Sequence, residues 1–187
     1  MSDVSFYDDF VDNSLMCRGL CIKPISQLTM QSRLNEIMGF VNSIRVEYNK
    51  AYGWKPENKE YFLNPLNQKF KYSLLIENIQ TKEICLVNFT SIYINILHTH
   101  GTYVSKNYRN QDLAKYHMLK ICNMAIANGI QMQEGYWPKH NNGSIILHLK
   151  MGWRIEEIRK NGTQLYMKAD NKEVRDNVYK MLSTVKK

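Results

Sequence analysis

The chain has 187 residues, 44% of them hydrophobic and 22% charged, with a formal charge of +8. That length fits one domain with a real core, and the composition is ordinary for a folded soluble protein. Its apolar runs are too short for a membrane span, and the acidic, polar stretch 1–13 has no signal-peptide pattern; it reads as flexible, and the protein as cytoplasmic. The four cysteines (Cys17, Cys21, Cys85, Cys122) lie among apolar residues with no matching His/Cys pair, so zinc is not expected and free core thiols are. The positive charge favours an anionic partner, with much of the excess in Lys168, Lys172, Arg175, Lys180, Lys186 and Lys187. The first explanation is the solvated face of a basic terminal helix over 171–187; nucleic acid or an acidic carrier protein are the others.

In chain order, 15–24 reads as a strand with Leu20 and Ile22 on one face. Residues 26–52 read as a helix whose apolar face is Leu28, Leu34, Ile37, Met38, Val41 and Ile44. The span 51–68 holds Gly53, Pro56 and Pro65 among aromatic residues and reads as a long loop. Three strands are predicted over 72–77, 83–89 and 92–104, the first two joined by a turn at 78–82. The clearest helix is 110–128, with Ala114, Met118, Ile121, Cys122 and Ala125 as its buried stripe and Asn128-Gly129 as its stop. A short strand over 130–137 ends at Pro138, and a second amphipathic helix over 141–151 is capped by Asn141 and stopped by Gly152. Strands over 153–159 and 163–169 flank Asn161-Gly162, a strong hairpin signal, and 171–185 reads as a terminal helix. This order predicts a single α/β (α+β) domain over 1–187, one sheet with helices on both faces.

The stretch from His98 to Ala114 carries most of the chemistry. His98 and His100 are two residues apart, so on a strand both imidazoles face one side. Arg109-x-x-Asp112-x-Ala114 then opens into a helix, whose unpaired N–H groups and positive dipole end suit a phosphate-bearing ligand.

Strand, Val104-x-x-x-Tyr108-Arg109, helix, strand, then Asn141 followed eleven residues later by Gly152-Trp153: this order resembles the GNAT superfamily of acyl-CoA N-acyltransferases. The family signature Arg/Gln-x-x-Gly-x-Gly/Ala falls on Arg109, Asp112 and Ala114, and its later Asn…Gly-Phe pattern on Asn141, Gly152 and Trp153. The resemblance covers about 72–169. It implies a mixed, mostly antiparallel sheet flanked by helices and splayed between strands four and five, with acetyl-CoA (coenzyme A) as co-substrate in the gap and no metal. By the same resemblance, Tyr103 and Val104 lie on the strand that pairs with the pantetheine arm. The turn Arg109, Asn110, Gln111, Asp112, Leu113 and Ala114 aims amides at the pyrophosphate, Arg109 and Lys115 add charge, and Asn141 completes the site. Gly101 suits a bulge or close approach just before that backbone. Asp112 departs from the family glycine, and a carboxylate beside a pyrophosphate is unfavourable unless it turns away or caps the helix.

N-acetyl transfer needs an amine stripped of its proton and a proton for the departing thiolate. His98 and His100 are candidate bases, placed where arylalkylamine N-acetyltransferases carry a similar His-x-His; the plain alternative is hydrogen bonding within the sheet. The resemblance also puts His148 where relatives carry a tyrosine acid, with simple packing as its other reading. Glu134, on the strand facing the slot, is either an alternative base, a grip for the substrate ammonium or a solvated carboxylate. Arg45, Tyr48, Tyr52, Trp54 and Tyr61 are expected around the acceptor pocket or in ordinary packing. The expectation is therefore direct acetyl transfer from acetyl-CoA to a primary amine of a small molecule or protein, without nucleic acid or membrane, on a fold that also allows a homodimer. The rivals are a longer acyl-CoA or acyl-carrier thioester as donor, or a non-catalytic acyl-CoA-binding regulator.

Overall fold

The computed structural model describes residues 3–184; positions 1, 2 and 185–187, and with them Lys186 and Lys187 of the predicted basic tail, lie outside the described residues. The first half forms α1 (Asp3–Met16), β1 (Leu20–Pro24), α2 (Gln27–Ser32), α3 (Leu34–Glu47), α4 (Asn49–Tyr52), α5 (Lys59–Leu63) and α6 (Lys69–Tyr72). It is followed by β2 (Leu74–Asn78), β3 (Ile84–Tyr93), β4 (Ile96–Val104), α7 (Leu113–Ala127) and β5 (Met132–Pro138). The chain ends in α8 (Asn142–Lys150), β6 (Arg154–Arg159), β7 (Gln164–Asp170) and α9 (Asn171–Ser183). No helix among the described residues is long and apolar enough to cross a membrane.

The seven strands form one mixed sheet in the order β1-β2-β3-β4-β5-β7-β6, antiparallel everywhere except between β4 and β5. Strand alternation divides the core between its faces. Leu74, Ile76 and Leu86 pack with Val11 and Leu15 of α1, Leu119 and Cys122 of α7, and Val174 and Val178 of α9. Leu75, Val87 and Phe89 pack on the other face with Ile37, Val41 and Ile44 of α3 and Phe62 of α5.

Several predicted boundaries move, each for a tertiary reason. The segment expected to be a flexible start is helical from Asp3, and Val11 and Leu15 are fully buried against the sheet. Leu15 and Met16 therefore close a helix, and the first strand begins only at Leu20. The predicted helix 26–52 is divided at Arg33, whose backbone (φ −116°, ψ 20°) ends α2 and begins α3. Leu28, expected on its apolar face, is exposed. The loop over 51–68 contains α5, capped by the Asn58 side chain accepting from the Tyr61 N–H. Ile92 and Tyr93 end β3 rather than start β4, because the chain reverses through Ile94 and Asn95, both at positive φ (46° and 59°). All four cysteines are free, and Cys17 is exposed rather than in the core.

The break at Arg33 is fixed by Glu77 of β2, which is 1% exposed. Arg33 Nη1 donates to Glu77 Oε2 at 2.6 Å and Lys23 Nζ of β1 to Oε1 at 2.5 Å, while the rest of the guanidinium holds Glu36. Burial opposes ionisation of Glu77, but the hydrogen bonds from Lys23 and Arg33 outweigh it and hold the carboxyl below its ordinary range. A depressed carboxyl pKa stabilises the fold above the unfolded value, about 4.3, and that contribution is lost as pH falls through the folded one. Glu77→Gln is expected to lower stability at pH 7 by about 2–3 kcal/mol and to flatten its decline below about pH 4, as read by urea denaturation across pH.

Candidate active site in the strand gap

β4 and β5 pair only through Ile96, Leu97, His98 and Thr99 opposite Met132, Gln133, Glu134 and Gly135. Beyond these, β4 stays on β3 up to Val104 and β5 stays on β7 up to Pro138, so the two strands part. A bulge sits at the parting: Thr99 faces Thr90 and Gly101 faces Phe89, leaving His100 as the extra residue. Gly101 is required there, since a Cβ would lie 2.8–2.9 Å from the Tyr103 ring. Gly135 answers it on β5, where a Cβ would meet the Trp137 ring at 2.7 Å.

Three adjoining cavities follow the gap. The first, of 460 Å³, is lined by His98, His100, Tyr103, Tyr136 and Trp137 of the strands, with Arg45, Tyr52 and Trp54 above and Lys160 at the β6–β7 turn. The middle one, of 360 Å³, shares Tyr52, Trp54, Thr102, Asn141, Ser144 and His148 with the first and adds Val104, Ala114, His117 and Met118. The third, of 300 Å³, lies at the start of α7 and is lined by Val104, Arg109, Asn110, Asp112, Leu113, Ala114 and Lys115.

The two strand histidines do share a face, with ring centroids 5.0 Å apart. His98 Nδ1 lies 3.1 Å from Glu134 Oε1, and the Tyr166 hydroxyl donates to Glu134 Oε2 at 2.5 Å. A carboxylate only accepts, so Nδ1 donates in this bond, and in the neutral imidazole Nε2 keeps the lone pair. His100 Nε2 bonds Ser91 Oγ at 2.8 Å. The enclosing protein, then the His98 ring and the Lys69 ammonium, hold its pKa below the ordinary histidine range. Lys69 is itself lowered to about 8 by burial against the Tyr61 and Phe89 rings.

His148 stands where the first two cavities meet, between Trp137 and Trp153 (ring centroids 4.6 and 5.3 Å). Its Nδ1 donates to the Ser144 carbonyl at 2.7 Å, which leaves Nε2 without a proton. Burial pushes its pKa down to about 4. Both the Nδ1 bond and burial favour a neutral His148 with an accepting Nε2, which speaks against a proton donor. Glu134 lies behind His98 with both oxygens engaged and lines none of the three cavities.

Of the residues expected around a cofactor, Val104, Arg109, Asn110 and Ala114 line both the middle and third cavities; Asp112, Leu113 and Lys115 line the third, and Asn141 the first two. Tyr103 lines the first cavity but neither of the other two; it packs with the core under α3, its hydroxyl accepting from Arg45 Nη1 at 2.9 Å. Gln111 stands outside all three cavities, held by Arg18 through its carbonyl and side chain. Arg109 grips Glu47 of α3 through two 2.7 Å bonds, and Asp112 pairs with Lys115 at 2.7 Å without capping α7. The first α7 backbone bonds come from the N–H groups of Lys115 and Tyr116, so the amides of Leu113 and Ala114 precede them at the helix mouth. Among the predicted acceptor aromatics, Tyr52 and Trp54 line the first two cavities and Tyr48 the middle one, while Tyr61 packs on Phe62 and Phe89. His117 had no place in the sequence reading, which took the buried stripe of this helix as Ala114, Met118, Ile121, Cys122 and Ala125.

No protein-family model and no curated protein matches the chain. Solved structures do. An acetyltransferase of the GNAT family from Staphylococcus aureus Mu50 superposes with a TM-score of 0.66 at 13% identity, over 81% of this chain and 99% of that one. The fold is that of the GNAT acetyltransferases. The ribosomal-protein-S18-alanine N-acetyltransferase from Escherichia coli shares the GNAT fold with a TM-score of 0.61 at 14% identity, over 81% and 93% of the two chains. The PaiA N-acetyltransferase from Thermoplasma acidophilum, solved in complex with coenzyme A, gives 0.59 at 14% identity, over 81% and 98%.

In this GNAT fold the residue in place of the signature glycine, Asp112, has φ 61° and ψ 10°, a left-handed conformation that glycine adopts without strain. Asp112→Gly is expected to raise stability by about 0.5–1 kcal/mol in chemical denaturation, the relief exceeding the loss of the exposed Lys115 pair.

Proposed function

We propose that the protein is a GNAT-type N-acetyltransferase, moving an acetyl group from acetyl-CoA to a primary amine by direct transfer in a ternary complex. The observation that supports this best is the continuity of the cavities. A helix mouth fit for a diphosphate and a histidine-lined chamber fit for an amine meet at one opening in the sheet. The unpaired edge of β4 beyond Thr99 and the amides of Leu113 and Ala114 suit a ligand with amide and phosphate groups. When bound, acetyl-CoA supplies an acyl group activated as a thioester.

The chain's own residues then divide the work. Val104 offers backbone to the cofactor arm, and Leu113 and Ala114 offer amides to the diphosphate. Arg109 serves there only by exchanging Glu47 for phosphate, two acceptors of similar geometry. His98 is the base: Nε2 accepts the ammonium proton while Glu134 holds the tautomer and faces the imidazolium that forms, as Tyr166 anchors Glu134. His100 stays neutral beside His98. With His148 an acceptor, the proton for the thiolate falls to Tyr52. Tyr52 lines both cavities, and its hydroxyl donates to Asn141 Oδ1 at 3.4 Å, a long bond that is easily given up.

Calorimetry should detect binding of acetyl-CoA, and absence of heat at millimolar concentration would remove the cofactor assignment. His98→Ala is expected to lower kcat at least 100-fold near neutral pH with cofactor affinity unchanged, and Glu134→Gln to lower it less. Tyr52→Phe is expected to lower kcat about tenfold or more, again without loss of cofactor binding. An unaltered rate in either case rejects that residue's role.

A further inference from the structure

We propose that His117 of α7 is a binding residue for the arm of the thioester ligand, exchanging hydrogen bonds with one of its secondary amides. This rests on the reading of the gap as a coenzyme A site. His117 is 1% exposed, and neither ring nitrogen has a hydrogen-bond partner among the described residues. The Ala114 carbonyl on the preceding turn acts on the ring but does not complete a hydrogen bond. Other buried side chains also hold an orphaned nitrogen or oxygen, among them Tyr72, Gln133 and Trp153, yet of these His117 alone lines a cavity along the gap. A buried, unpartnered polar ring destabilises the fold where a leucine of similar reach would not, so its presence points to a partner that arrives with the ligand.

The position of the cavity names the chemistry of that partner. The cavity His117 lines is the middle one, joined to the helix mouth through Val104, Arg109, Asn110 and Ala114, and to the histidine chamber through Thr102, Asn141 and His148. A ligand with its diphosphate at the helix mouth and its thioester in the chamber passes its pantetheine arm between them; the polar groups of that arm are one hydroxyl near the diphosphate end and two secondary amides between it and the thioester, where the middle cavity lies. Burial and the nearby His148 ring keep His117 neutral, with a pKa lowered to about 3. A neutral imidazole offers one donor and one acceptor, which matches an amide and gives no advantage with phosphate.

The test is calorimetry on wild type and His117→Leu with two probes: coenzyme A, and 3′-phospho-ADP, which has the diphosphate end but no arm. His117→Leu is expected to weaken coenzyme A about tenfold, or about 1.4 kcal/mol, and to leave 3′-phospho-ADP unchanged. Thermal denaturation should show the ligand-free variant at least as stable as wild type. His117→Gln keeps a donor and an acceptor, should lose less affinity than the leucine variant, and carries the comparison if the leucine variant does not fold. Unchanged coenzyme A affinity, or an equal loss for both probes, overturns the assignment. Failure of wild type to bind coenzyme A overturns the cofactor reading itself, and this inference with it.

Discussion

Everything at the site depends on a parallel strand pairing that stops early. β4 is held by β3 along almost its whole length and β5 by β7 from Met132 to Pro138, so each is anchored on its outer side. Between them only four residue pairs form before the His100 bulge turns β4 away. An interior sheet edge with unpaired N–H and C=O groups is costly unless water or a ligand meets it. The wedge is propped open by Trp137, packed over Gly135 and against His148 and Trp153, which are too large to let the strands close. The same separation that exposes the β4 backbone also brings β4 residues and the α7 and α8 helix starts around one opening.

Three of the cations around this opening stand in closed pairs. Arg109 is matched by Glu47, Lys115 by Asp112 and Arg45 by Glu57, so no free cation stands over the helix mouth among these groups. On the proposed function, the backbone amides at α7 are the first attraction for a diphosphate, with side-chain charge contributing after exchange. On the acceptor side, His100 and His148 are both held neutral, and one carboxylate, Glu134, is turned onto His98. On the proposed function, proton acceptance falls to one imidazole. A spread over all the histidines of the cleft would place like charges about 5 Å apart, at the His98–His100 distance.

Much of the scaffold was legible in the chain. Strong local signals located their elements within a few residues: the stripe and Asn128-Gly129 stop of α7, the Asn141 cap and Gly152 stop of α8, and the Asn161-Gly162 turn of the last hairpin. Signals failed where a distant contact outweighed local preference. Arg33 divides a continuous apolar pattern because Glu77 of β2 claims its guanidinium. Ile94 enters a left-handed turn that its own side chain disfavours, because the flanking strands pair. The polar start becomes helix because the sheet offers Val11 and Leu15 a surface to cover.

At the site, spacing alone determined that His98 and His100 share a face and that the Arg109–Ala114 turn opens a helix, since both follow from strand and helix periods. Which groups the ring nitrogens of His98 and His148 bond, and that His117 is buried without a partner among the described residues, were decided only in three dimensions. Protonation and polarity depend on groups far away in sequence: Glu134 is 36 residues from His98, and Tyr166 is 32 residues beyond Glu134. A side chain's chemistry belongs to its enclosure, and the enclosure exists only once the sheet has formed.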